Sequence, residues 1–461
     1  MTIHKQTDVV IVGSGPGGAT VARQLARSNA GLGITLLERG RDWRRSPLYG
    51  TYPGAMAYTD RATFLYTQEG ISIVRPLMLG GATSMYLGCA ARPLPWWRDK
   101  YGIELDEYAE ETIRELKIAP LSPELRGQAS TRIAEAGMDL DLDWFPQEKF
   151  MQPERSPHFD CRASCVLGCR CGAKWNAAEY VDEAIVEGID LWTGAKVDKV
   201  LHGGGSVFGV KGRQSGKQFV VEAGIVVLAA GGVGTPRLLS DSGFDGAGQG
   251  MALDTTSMVY GQAPYKGIGD DPPMAWSYAD DEIGAMFSTL IDPWLNYPVV
   301  MLIKNPTYIS TWRNWGQILG VMIKLKDEIS GRVDMRGRIS KGMTNQDQVR
   351  QARAQEVAKK ILLRAGCDPE SILITPLRGT HPSATVRIDT MLSRDLQTEV
   401  KGLYVCDASV FPEGLARPTV LTIICLAKRL AEKIVDEVWG VRGPGLGVKG
   451  RGRWSVSANA Y

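Results

Sequence analysis

The chain has 461 residues, 44% of them hydrophobic, with 53 basic against 51 acidic side chains and a net charge of +2. That length suits two or three domains, or one nucleotide-binding domain with another inserted into it. The near balance of charge argues against a nucleic-acid or strongly acidic partner.

No run is long and apolar enough to suggest a membrane span. The start, MTIHKQTDVVIVG, has no basic region followed by an apolar one, so no export signal is expected and a cytoplasmic location is. Export on a signal-bearing partner is the alternative. Eight cysteines in such a chain suggest thiols or a metal site before a disulfide framework.

DVVIVG reads as a buried parallel strand. It runs into Gly13-Ser-Gly15-Pro-Gly17-Gly18 and then a helix, ATVARQLARS. Gly13 permits the tight turn, Gly15 lets backbone approach a pyrophosphate, and Gly18 lets helix pack on strand. The helix N-terminus would favour the anion. The next strand, ITLLE, ends in Glu38, placed to bond ribose hydroxyls.

Residues 101–136 read as two helical stretches. ELDEYAEETIRELKIA shows apolar positions at helical spacing and acids toward its start. Then come Cys161, Cys165, Cys169 and Cys171, spaced C-x3-C-x3-C-x-C. Thiolates this close suit one soft metal centre, and four are the complement of a [4Fe–4S] cluster. Zinc, or free or paired thiols without metal, are the alternatives. Cys89, Cys367, Cys406 and Cys425 lie among apolar residues, where packing is the expected role.

GIVVLAAGGVGTPRLL is a second buried strand meeting glycines and a helix. Between 251 and 345 the pattern alternates, and AMFSTLI, YPVVMLI and GQILGVMIKL are expected to be strands of an antiparallel sheet. QARAQEVAKKILLRAG is a helix. The tryptophans of PWW, DPWL and STWRNW are read first as core aromatics and second as pocket lining. GLYVCDASVFP is a strand ending in Asp407, and VLTIICLAKRLAEKIVDEV is the helix after it. Residues 441–461 form a basic, glycine-rich tail expected to be flexible.

Five segments, in order, carry a resemblance to a known family: VVIVGSGPGGATVARQLA, LMLGGATSMYLGCAAR, LAAGGVGTPRLL, HPSATVRI and GLYVCDASVFP. The chain resembles the glucose–methanol–choline (GMC) family of FAD-dependent oxidoreductases, in a subgroup with a cysteine-rich segment. The resemblance implies an α/β fold: a discontinuous Rossmann-type FAD-binding domain of parallel sheet and helices, plus an inserted α+β substrate domain with an antiparallel sheet. The expected division is 1–100, 175–250 and 379–440 for FAD, 101–174 for a helical insertion with the cysteines, and 251–378 for substrate. The implied FAD neighbours are Gly13, Gly15, Gly18, Glu38, Gly80, Gly81, Ser84, Val197, Ala230, Gly231, Asp407, Ala408 and Thr419. Met85-Tyr86 stands where some members carry a flavin-linked histidine, so FAD is expected to be noncovalent.

Of four histidines, His381 sits in GTHPSATVRI, close to the family segment whose histidine takes the substrate's hydroxyl proton. Pro418 occupies the place of the second polar partner, and neighbouring Arg417 is the expected substitute. The function implied is oxidation of an alcohol, on a sugar or lipid-like small molecule, by hydride transfer to flavin N5. Electrons would leave through the cluster to a redox protein, a quinone or a partner subunit. The alternatives are oxidoreduction of C–C bonds and an electron-transfer subunit without its own substrate.

Overall fold

The computed structural model describes residues 2–28, 30–161, 164–304 and 306–442. Residues 443–461, most of the basic tail read from the sequence, lie outside the described residues.

A five-stranded, wholly parallel sheet forms the first layer. Its order is Leu403–Val405, Ile225–Leu228, Val9–Val12, Ile34–Glu38 and Asp190–Thr193. Val9 to Ile11 are completely buried, as expected of a central parallel strand covered on both faces. Helix Pro16–Arg27 follows directly, with proline in its first turn, where a missing N–H costs nothing. It packs against helices Ala177–Val186 and Val420–Arg442. The last helix buries Leu421, Ile424, Leu426, Leu430 and Ile434 on the sheet's core, each contributing roughly 1.5–3 kcal/mol of hydrophobic stabilisation. A four-stranded sheet containing the hairpin Ala195–Gly203 and Ser206–Gln214 flanks this layer.

The second layer is a nine-stranded sheet centred on Thr255–Gln262, Ile318–Leu325, Ala285–Thr289 and Trp276–Asp280, all antiparallel to their neighbours. Helices Gln128–Met138 and Asn345–Arg364 cover it and share a separate hydrophobic core. The long helix opens with a capping box, Thr344 and Asp347 satisfying each other's backbone N–H.

One expected strand is a helix. YPVVMLI falls in helix Asn296–Lys304. Pro298 cannot donate to a central ladder but is tolerated in a helix's first turn, and an apolar run this short carries no decisive period. The expected helices at 101–136 are Asp106–Glu115 and Gln128–Met138. Among the described residues no helix is long and apolar enough to cross a membrane.

Candidate active site

The carboxyl ends of the parallel strands open into a cleft, bounded on its far side by Thr380, His381 and Pro382. Crevices at this end of a parallel sheet are where α/β folds bind ligands. Gly13, at φ +103°, makes the turn out of the first strand, and a Cβ there would lie 2.3 Å from the Ala229 carbonyl oxygen. Gly15 is different. A Cβ on it would have no protein atom within 4 Å, so the cleft comes right up to the backbone at the helix N-terminus. The first helical turn carries no acid, which leaves its positive end free for an anion. Glu38 lies at the end of its strand, 7% exposed. Its carboxylate accepts from Ser14 N at 3.0 Å, Ser14 Oγ at 2.6 Å and Gly40 N at 2.6 Å, and its oxygens keep acceptor capacity for ribose hydroxyls.

Gly81, Val197, Ala230, Gly231, Ala408 and Thr419 also line the cleft. Asp407 borders it, but its carboxylate is already engaged. It accepts from Gly231 N at 2.8 Å, Thr235 Oγ1 at 2.5 Å and Ser409 N at 2.8 Å, pinning the start of helix Gly231–Asp241. Gly18, Gly80 and Ser84 stand behind the wall. A Cβ on Gly18 would fall 1.9 Å from Gly13 O, so its role is helix–strand packing. Gly80, at φ +86°, packs equally tightly on Asn176 Oδ1, and Asn176 Nδ2 donates to Ser84 Oγ at 3.1 Å. These contacts fix the segment that presents Gly81 and Ala82 to the cleft. The glycine turn, the open space at Gly15 and the carboxylate at Glu38 fit a dinucleotide such as FAD.

His381 stands at the rim of the cleft. Its Nδ1 lies 2.8 Å from Asp254 Oδ2, and Lys324 Nζ lies 3.3 Å from its Nε2. Asp254 comes from the loop entering the central antiparallel strand, and its other oxygen accepts from Leu415 N at 3.2 Å and Ala416 N at 3.0 Å. Asp254 accepts only, so Nδ1 carries the proton and Nε2 is the basic nitrogen. Burial, then the Lys324 charge, pushes the His381 pKa down, against the pull of Asp254. Burial also lowers Lys324, to about 8, with Asp254 opposing. The Asp254 loop is itself anchored. Asp327, with no exposed side-chain surface, accepts from Leu253 N and Asp254 N and lies 3.2 Å from the equally buried Lys341 ammonium.

Neither Arg417 nor Lys324 is among the residues lining the cleft; the Arg417 guanidinium donates to Asp281 at 2.8 Å. The polar group that faces His381 is Lys324, from a different sheet. Sequence reasoning missed both Asp254 and Lys324. The one signal for Lys324 was a cation inside an otherwise apolar strand, ILGVMIKL. None of the singled-out tryptophans lines the cleft: Trp96 and Trp97 stack at 4.7 Å, and Trp294 and Trp312 meet at 4.7 Å in a tilted arrangement.

The four clustered cysteines stand as two pairs, Cys161–Cys165 with sulfurs 3.4 Å apart and Cys169–Cys171 at 3.5 Å. Among the described residues no three His, Cys, Asp or Glu side chains are arranged to hold a metal ion. The structure thus gives no support to the single four-thiolate centre expected from the spacing. Donation from Cys171 holds Cys169 down to about 5, while the same bond raises Cys171. Lys174 sits beside the thiols and donates to Ser84 O at 3.2 Å and Tyr86 O at 2.6 Å.

A dinucleotide cleft over a parallel sheet, faced by a carboxylate-held histidine from a second sheet, defines a flavin-dependent oxidoreductase. The chain belongs to the GMC oxidoreductase family, whose model matches residues 8–261. It is 27% identical to a GMC-type oxidoreductase of Mycobacterium tuberculosis over 95% of this chain and 77% of the relative. It is 23% identical to a long-chain-alcohol oxidase of Arabidopsis thaliana, over 94% and 67% respectively. The fold is that of pyridoxine 4-oxidase from Mesorbium loti, with a TM-score of 0.68, 17% identity, and 92% of this chain and 98% of that one covered.

Proposed function

We propose that the chain oxidises an alcohol to a carbonyl compound, with His381 as the base. The observation that carries this is the His381 imidazole at the rim of the cleft with Nδ1 2.8 Å from the Asp254 carboxylate, a pairing that directs the Nδ1 proton to Asp254 and leaves Nε2 as acceptor. A positioned imidazole with a pKa near or below neutrality is unprotonated at working pH. Bound FAD supplies the two-electron, hydride-accepting chemistry. Gly13, Gly15 and the helix N-terminus would hold its pyrophosphate, and Glu38 its ribose. His381 Nε2 takes the hydroxyl proton, and Asp254 stabilises the imidazolium that results. The similarity to a long-chain-alcohol oxidase supports an alcohol substrate.

Anaerobic mixing of the FAD-loaded protein with primary and secondary alcohols tests this. Loss of the oxidised-flavin absorbance is expected. Inertness toward alcohols, with enones reoxidising the reduced flavin, would establish C–C chemistry instead.

An iron–sulfur route for the electrons has one support, the spacing of four cysteines within eleven residues. They stand as two pairs, no group of three metal-holding side chains occurs among the described residues, and no step is routed through a cluster. Iron and sulfide analysis with EPR on anaerobically purified protein tests this directly, and stoichiometric iron would overturn it.

A further inference from the structure

We propose that Lys324 is the second catalytic group of this site. Its ammonium donates to His381 Nε2 in the structure and, when an alcohol enters, donates to the substrate oxygen instead. This deepens the alcohol-oxidation reading and rests on it.

Three observations carry the assignment. Lys324 Nζ lies 3.3 Å from the one imidazole nitrogen that must accept the substrate proton. An oxygen that approaches Nε2 from the side of Lys324 therefore comes within reach of the ammonium. Lys324 is also 4% exposed, the penultimate residue of a strand whose other residues are all buried. A buried cation costs free energy unless it is compensated. Finally, its surroundings leave that charge undercompensated. The ionisable groups bearing on it are Asp254, His381, Cys89 and Arg417. Asp254 is committed to His381 and to two backbone N–H groups, Cys89 is held by Lys149 Nζ at 3.1 Å, and Arg417 is a like charge. An oxygen acquiring negative charge beside His381 is the counter-ion this site lacks.

The step balances without a further reagent. The substrate O–H bond breaks and an N–H bond forms at Nε2. The C–H bond breaks with its electron pair, which goes as hydride to the flavin, and the carbonyl double bond forms. The substrate is oxidised and the flavin reduced, while Lys324 keeps its protons throughout. A preorganised donor of this kind acts where charge develops.

The test compares FAD-loaded wild type with Lys324→Met and Lys324→Arg. With four histidines in the chain, the imidazole ¹⁵N spectrum is simple, and His381→Gln assigns the signal. In Lys324→Met the His381 titration midpoint is expected to rise, because a neighbouring positive charge is gone. The rate of flavin reduction by saturating alcohol should fall by about 10²–10³-fold, as for loss of one transition-state donor, with flavin content unchanged. Lys324→Arg should retain more rate and lose the decline at high pH, since guanidinium stays charged. An unshifted His381 midpoint together with a wild-type reduction rate in Lys324→Met would overturn the proposal. Should the methionine variant not fold, a Lys324→Arg pH–rate profile that still declines like wild type overturns it equally. Full activity of His381→Gln would instead remove the base itself, so the two failures are distinguishable.

Discussion

Asp254 and His381 meet at 2.8 Å although 127 residues separate them. The carboxylate enters from the loop before the central antiparallel strand and the imidazole from the segment after a short strand beside it. Register does the positioning: Thr255 pairs with Gly379 and Thr256 with Arg378. His381 N also donates to Leu253 O at 2.8 Å, so backbone and side chain fix the pair together.

Asp254→Asn should preserve this geometry and lose the chemistry. An amide can donate to Nδ1, favouring the tautomer whose Nε2 carries the proton and is no longer a base. The rate of anaerobic flavin reduction is expected to drop by about 10²-fold or more, with flavin binding retained.

Activity should follow a bell-shaped pH profile. His381 must be unprotonated, and burial with Lys324 places its pKa below the ordinary 6.5, so kcat/KM rises with pH through a value under 6.5. Lys324 must be protonated, so the rate declines above about 8. Stability has a related sign. The unfolded chain protonates this histidine near 6.5 while the native one resists, so His381's contribution to stability is lost as pH falls below 6.5. Pre-steady-state reduction rates from pH 5 to 10 check the first point, and thermal unfolding the second.

Gly15→Ala should separate folding from cofactor affinity. The backbone there, φ −65° and ψ −177°, suits alanine, and no protein atom obstructs the methyl group. The methyl group instead occupies the cleft at the helix N-terminus. The melting temperature of the flavin-free protein should stay within a few degrees, while FAD affinity falls about tenfold or more, the equivalent of about 1.4 kcal/mol. Flavin fluorescence titration measures it. Gly13→Ala, by contrast, collides with the Ala229 carbonyl and should impair folding.

Lys341→Met leaves Asp327 without its cation in a site where both side chains are fully buried. Breaking such a pair costs about 3–5 kcal/mol. Burial already raises Asp327 to about 6, so the variant's deficit should shrink as pH falls and the carboxyl group takes up a proton. Denaturant unfolding at pH 5 and pH 8 shows the difference.

Local chemistry made the nucleotide frame readable. Gly13, Gly15 and Glu38 lie within 26 residues of one another, and each acts through its own backbone turn or strand end. The motif around His381 singled it out, and the residue stands at the cleft beside Asp254. Its partners were not legible, because they arise from sheet register: Lys324 lies 57 residues from His381 along the chain. Arg417, next to Pro418, donates to Asp281, while the cation that meets His381 lies on another strand. YPVVMLI was misread because a short apolar run has no period of its own. Cysteine spacing bounds which ligand sets are feasible without stating how the side chains turn, and here they turn toward each other in pairs.

The most direct test of the account is anaerobic reduction of the FAD-loaded protein by a primary alcohol, followed in wild type and in His381→Ala. Bleaching of the oxidised-flavin band is expected in wild type. In the variant, flavin stays bound and bleaching is slowed by about 10²–10⁴-fold, the span of general-base catalysis. Equal bleaching rates in the two proteins would contradict it.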